Sequence, residues 1–431
     1  MRSLRTVAVV ACSIACGATS TDPLPHDRVG EADAAVPPGA GGAGDSGAAA
    51  DGASGEAIVA LGRRYVEDAS FRNDALVRSL VSTTNGYATL RLAKYGDTWS
   101  RLPEWNPRAR IVSPGDAPSF APRALPEGTS IDVDAVPWSH DALVDLGRRA
   151  FTTYPVQLAS WARVALGSEG AVPRAERYGV APSGGQLGGF VWSELPASDV
   201  EIALTCSTCH AAPSSEGSVP GKNHGTLALA AMMADAPTGA SHPWPPGTID
   251  VTDDGVDNPV AIPDLRAMRH VGWLHHAATV VNDPVSLAIR IETLIVTSTN
   301  QSVRPPRKLA FALSLYLLSL SDSYGTAAPP APRAFVATCG GCHSGPALGG
   351  GRVPVPDVGE NSVLTSTERA TGFARVPSLL GVSGRTRLFS DGSLPTVREL
   401  FEPARGTHHP FGSEFDAGER ASVLAFLEGL R

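Results

Sequence analysis

Cys206, Cys209 and His210 stand in "ALTCSTCHAAP", and Cys339, Cys342 and His343 in "VATCGGCHSGP". Each copy places two thiols and an imidazole within one helical turn. Three chemistries use such a set. A redox dithiol needs the two thiols alone, after a strand in a βαβ unit, and neither copy is expected in that setting. A structural zinc ion needs four cysteine or histidine ligands, which the two copies would have to pool. Covalent attachment of a c-type haem uses all three residues. The thiols add across the porphyrin vinyl groups, and the adjacent histidine is thereby placed under the iron. The complete pattern, twice in one chain, favours the third chemistry. It predicts two covalently bound haems, with His210 and His343 as iron ligands.

The chain has 6 cysteines. Cys12 and Cys16 close the apolar run Thr6–Ala15, which follows the basic start Met1–Arg5. That run is shorter than the roughly 20 residues a membrane-spanning helix needs, so it reads as an export signal. Ending at cysteine, it resembles a bacterial lipoprotein signal, which implies a lipid anchor to a membrane and a periplasmic location. An ordinary cleaved signal is the alternative. The stretch "PPGAGGAGDSGAAADGASG" then lacks the apolar residues to fold and reads as a tether. With two cysteines in the signal and four in the motifs, none is left for a structural disulfide.

Positioning the motifs falls to helices. At 431 residues, 42% hydrophobic and 18% charged, the chain is globular, and its 45 glycines and 36 prolines predict long irregular loops. Net charge −8 without a basic run argues against nucleic acid as a partner. "DALVDLGRRAF" (Asp141–Phe151) predicts a helix ahead of the first motif. "PRKLAFALSLYLLSL" and "DAGERASVLAFLEGL" predict closing helices after each motif, both ending aromatic-Leu-x-x-Leu at Tyr316 and Phe426. The expected fold is mainly α. It comprises a signal (1–16), a linker (17–55), a helical segment of unassigned role (56–140), and two cytochrome c-like haem modules (141–322 and 331–431). "SYGTAAPPAPR" (Ser323–Arg333) joins the modules.

After the second motif, "VPSLLGVSGRTRLFSDGSLPTVREL" (Val376–Leu400) resembles the C-terminal haem domain of the bacterial diheme cytochrome c peroxidases and the related methylamine-dehydrogenase-maturing diheme enzymes. The likeness covers about 100 residues well and the first motif only in outline. It implies a peroxide-reactive first haem, an electron-transferring second haem and calcium between the domains. Ser390 stands where that family has histidine, and no methionine follows Met268 to supply the usual distal ligand of the second haem.

The local candidates for that position are His408 and His409 in "PARGTHHPFG", with His408 preferred because Thr407 and Pro410 leave room for one inward ring. For the first haem the candidates are His224, His275 and His276, with His242, His270, Met232, Met233 and Met268 as further possibilities. "DVTDDGVDN" (Asp250–Asn258) starts like an EF-hand loop but ends at Ala261 rather than glutamate, so a solvated acidic turn competes with Ca2+. Two functions remain open, with a zinc-stapled binding protein as a third only if haem is absent. One is a diheme electron carrier with a protein redox partner, a small cytochrome or a quinol-linked complex. The other is a peroxidase-type oxidoreductase reducing hydrogen peroxide.

Overall fold

Leu143, Leu146, Gly147, Ala150 and Phe151 recur at helical spacing, and they form the buried stripe of a helix capped by Ser139, whose side chain accepts from Ala142 N. The computed structural model describes residues 54–430 except 114–115, 117–124, 126, 167–174, 181, 184–185, 196–198, 215–216, 237–240, 253–255 and 324–328. The expected signal and most of the tether lie outside the described residues. Helix accounts for 42% and strand for 14%, so helix dominates as expected.

The helices that frame the motifs are, in chain order, α1 (Gly55–Glu67), α2 (Ala69–Ser79), α3 (Gly86–Lys94), α4 (His140–Thr153), α5 (Cys206–His210), α6 (Pro284–Ser298), α7 (Arg307–Ser319), α8 (Arg333–Thr338) and α9 (Ala417–Gly429). Helices α6 and α7 are apolar on nearly every side, which in a folded chain means burial on every side. Asp283 starts α6 by accepting from Val285 N and Ser286 N, with Pro284 in the first turn where its missing N–H costs nothing. Against this pair pack α1, α2 and α4. Tyr65, Trp99, Phe151, Ile295 and Phe311 lie in one core, so the segment before residue 140 shares its core with the first motif's helices. Among the described residues no helix is long and apolar enough to cross a membrane.

A short antiparallel sheet stands beside that core. Its strands are β1 (Ala109–Ile111), β2 (Gln157–Leu158), β3 (Phe190–Glu194) and β4 (Val200–Leu204), in the order β1-β3-β4-β2. Trp192 sits between Arg110 and Ile202 in register. The sheet adds a second core through Phe190, Ile202 and Leu204, joined by Met232. The C-terminal part has a third core in which α8 and α9 meet. Two further strands, β5 (Arg352–Pro354) and β6 (Phe373–Arg375), pair antiparallel there.

The two halves share an arrangement. The helix before each motif touches the helix that closes it through an aromatic pair: Phe151 with Tyr316 at 5.3 Å, and Phe335 with Phe426 at 4.7 Å between ring centres. The two aromatics singled out by the repeated helix ending are the ones used. "LGRR" also occurs twice, in α1 and α4, and both glycines face α7. A Cβ on Gly62 would meet the Phe311 ring at 2.4 Å, and one on Gly147 would meet the Ala312 carbonyl oxygen at 2.1 Å. Backbone cannot swing aside as a side chain can. Gly147→Val will therefore lower stability by about 1–3 kcal/mol, the usual cost of overpacking, read as a lower midpoint in thermal or urea unfolding.

Candidate functional site

The first motif is set by the strand before it. Thr205 follows β4 and caps α5, and three donors converge on the Gly189 carbonyl: Thr205 N at 3.2 Å, Thr205 Oγ1 at 2.8 Å and Thr208 Oγ1 at 2.9 Å. Gly189 has φ +75, and a Cβ there would lie 2.6 Å from Thr208 N, so only glycine lets the strand turn meet the motif this closely. The motif thus follows a strand directly. The neighbours of β4 are antiparallel, so the βαβ setting of a thioredoxin-like dithiol is still not formed. Cys206 packs on the first core and Cys209 on the second. Burial pushes both thiols up to about 12, unlike the electropositive, accessible setting of a reactive thiolate.

His210 donates or accepts at Nδ1 with the Pro263 carbonyl at 3.1 Å; facing a carbonyl oxygen, the ring nitrogen must be the donor. His343 does the same with the Leu348 carbonyl at 2.9 Å. A ring whose Nδ1–H is held by backbone keeps Nε2 unprotonated and aimed, which is how metal-binding histidines are oriented. Burial holds His210 down at about 4, so the ring is neutral.

The second motif forms one turn after α8. Cys342 N and His343 N both donate to the Cys339 carbonyl, at 3.1 and 2.8 Å. Cys339, Cys342 and His343 line a cavity of about 220 Å³ whose walls include Leu364, Phe389 and Leu400. His409 lies across it, with its ring centre 6.2 Å from that of His343. Imidazole nitrogens sit about 2.0–2.1 Å from a bound metal, so two rings on opposite sides of one metal have centres about 6.3 Å apart. Phe389 and Phe411 pack on the His409 ring at 6.1 and 5.3 Å, and its Nδ1 is a buried polar atom without a hydrogen-bond partner among the described residues. Burial, then the neighbouring His343, bring His409 down to about 4. Its backbone has φ +53, a left-handed conformation that costs a non-glycine residue about 1–3 kcal/mol and is kept where a site requires it. His408, the preferred residue on sequence grounds, instead turns Nε2 toward Asp391 at 3.7 Å.

The remaining candidates divide. His224 is buried, with its backbone N bonded to the Cys209 carbonyl at 2.9 Å, so it stays beside the first motif. His275 does not: its Nε2 accepts from Arg290 Nε at 2.5 Å and its ring meets Tyr87 edge-on. His276 lines the cavity of the second motif rather than sitting by the first, held by the Ala261 carbonyl at 3.0 Å. Met268 borders that same cavity. Met232 is in the sheet's core, Met233 is half-buried, His242 stacks on Trp244, and His270 lies in a short turn after Met268. Ser390 accepts from Asn361 Nδ2 at 2.8 Å.

The acidic loop is only partly described, since Asp254 and Gly255 lie outside the described residues. Its described acceptors are gathered around a guanidinium. Arg369 Nη2 donates to Asp250 Oδ1 at 2.7 Å and Thr252 Oγ1 at 2.9 Å, and Nη1 to the Asn258 carbonyl at 2.9 Å. Asn85, at the start of α3, holds the Arg369 and Ala370 carbonyls, so three distant segments meet at this side chain. Among the described residues no group of three or more His, Cys, Asp or Glu is placed to hold a metal ion. Arg369→Ala leaves Asp250 buried without its charge partner and will cost about 3–5 kcal/mol, while a chelator will leave the unfolding midpoint of the unaltered protein in place.

Neither a scan against protein-family models nor searches of curated proteins and solved structures find a match to this chain.

Proposed function

We propose that the chain is a diheme c-type cytochrome that carries electrons on the periplasmic side of a bacterial membrane. The observation that carries this reading is the treatment of the two motif histidines. Each is oriented through Nδ1 by a backbone carbonyl, and one of them has a second imidazole 6.2 Å away between ring centres, near enough that both could hold one metal ion. Bound haem supplies a one-electron couple. Cys206 and Cys209 would hold one porphyrin and Cys339 and Cys342 the other, with His210 and His343 beneath the irons. His409 would close the sixth position of the second, and the apolar walls at Leu364, Phe389 and Leu400 would keep water from it.

The second motif lies near the surface: Gly341, Ser344, Gly345 and Pro346 are exposed, and Val336 on α8 is 58% exposed. This is the natural face for a redox partner, a small cytochrome or a quinol-linked complex. A lipid anchor at Cys12 or Cys16 would hold the protein to the membrane. The contrast between a surface motif and a buried one also suits a peroxidase-type oxidoreductase, with the buried first site reacting. Turnover of hydrogen peroxide by the partly reduced protein, with a small cytochrome as donor, separates that second reading from the carrier. For both, protein produced with cytochrome c maturation machinery must retain two haems per chain through acid-acetone extraction. Extractable haem, or zinc without haem, overturns both.

A further inference from the structure

The cavity of the second motif is bordered by three guanidiniums, Arg375, Arg385 and Arg387, that no carboxylate neutralises among the described residues; Arg387 is engaged by the Pro246 and Gly392 carbonyls, which leaves Arg375 and Arg385. Arg375 ends β6, where its backbone N donates to the His276 carbonyl at 2.8 Å. Its side chain makes no hydrogen bond or ion pair among the described residues, and its Nε is buried without a partner. Arg385 gives Nη2 to the Leu380 carbonyl at 2.7 Å and keeps a second buried, unpartnered Nε. Both line the cavity together with Cys339, Cys342 and His343.

Neighbouring acids are already committed. Asp264, also on the cavity wall, is bound by Arg266 at 2.6 Å, and Asp391 faces His408. Burial, reinforced by the nearby charge of Arg385, brings Arg375 down to about 10. Half-buried cations placed close together without an anion are unfavourable, because each loses hydration and repels the other. Such an arrangement is stable only when an acceptor of opposite charge joins it, and guanidinium suits carboxylate best through paired N–H donors.

We propose that Arg375 and Arg385 bind the two propionate carboxylates of the porphyrin attached at Cys339 and Cys342. The inference rests on the haem reading of that motif. Thioether bonds fix the vinyl edge of the ring, and the propionates project from the edge opposite. Cations that meet them set the ring's rotation in the cavity and add positive charge next to the iron. Positive charge there disfavours the ferric state, which carries one more positive charge than the ferrous, so it raises the reduction potential.

The test uses full-length protein matured with haem, carrying Arg375→Gln, Arg385→Gln or both, with Arg375→Lys and Arg385→Lys as charge-preserving partners. Haem content is measured first, then the midpoint potential of each haem by optical titration. The expected result is two covalent haems in every variant. The second haem's potential shifts negative in each glutamine variant and furthest in the double one, the lysine variants recover most of the shift, and the first haem is unmoved. An unchanged second potential, or an equal shift in both haems, overturns the propionate assignment and leaves the haem reading standing. Absence of covalent haem from the unaltered protein defeats that reading, and the assignment with it.

Discussion

On the proposed diheme reading, a chain with Cys339→Ala and Cys342→Ala will carry one covalent haem in place of two. Cys206→Ala with Cys209→Ala will also leave one, but with a lower yield of folded protein. The halving follows from the chemistry of attachment: thioether bonds need the thiols, and each motif holds its own pair. The difference in yield follows from where the motifs sit. Cys206 packs against the helical core that joins α1, α4, α6 and α7, and Cys209 against the core of the sheet. Emptying the first motif therefore leaves a gap where two cores meet. Cys339 packs on the C-terminal core, and Cys342 is half-buried beside exposed Gly341. The measurement is haem per chain by the pyridine absorbance method, with heme-stained denaturing gels as a second check. Equal loss of both haems on removing one motif would mean that the two do not form separate sites.

His409→Gly will convert one haem from low to high spin and let it bind carbon monoxide when reduced, whereas His408→Gly will change neither spectrum. The His409 ring lies 6.2 Å from that of His343, where both could hold one iron, while His408 is turned to Asp391. Glycine also suits this position for a second reason. The residue has φ +53, where glycine is at ease and histidine is strained by about 1–3 kcal/mol, so losing the ring relieves the backbone. The fold should thus survive the substitution, and the spectral change reports the ligand alone. The readouts are electron paramagnetic resonance of the oxidised protein and the Soret band of the reduced protein under carbon monoxide. A change in the His408 variant with none in the His409 variant would transfer the role. No change in either would send it to another cavity residue, Met268 and His276 both having a suitable donor atom.

How much of this was legible without the fold depended on the range of the forces involved. The motifs themselves were complete in the sequence, because their three side chains are brought together by one turn of local backbone geometry and need no distant partner. Helices α4, α7 and α9 were legible for a similar reason. Their apolar residues recur at 3.6-residue spacing, and Ser139 and Asp416 cap α4 and α9 from adjacent positions. The repeat of Leu-Gly-Arg-Arg in α1 and α4 was visible as letters, but its meaning was not, since only packing on α7 shows why both glycines must lack a Cβ.

What faces each motif histidine was decided by the tertiary structure. His275 and His276 are neighbours in the chain, yet one bonds Arg290 and the other borders the cavity of the second motif, because a left-handed residue at 275 turns the chain between them. His408 and His409 part in the same way, and composition cannot say which of two adjacent rings a loop sends inward. The acidic loop looked from sequence like the start of a cation site, and a cation does meet it. That cation is the guanidinium of Arg369, which arrives from more than a hundred residues along the chain, where no local pattern could announce it. Local geometry fixes which atoms share a turn, while hydrophobic burial and the pairing of buried charges fix which turns meet.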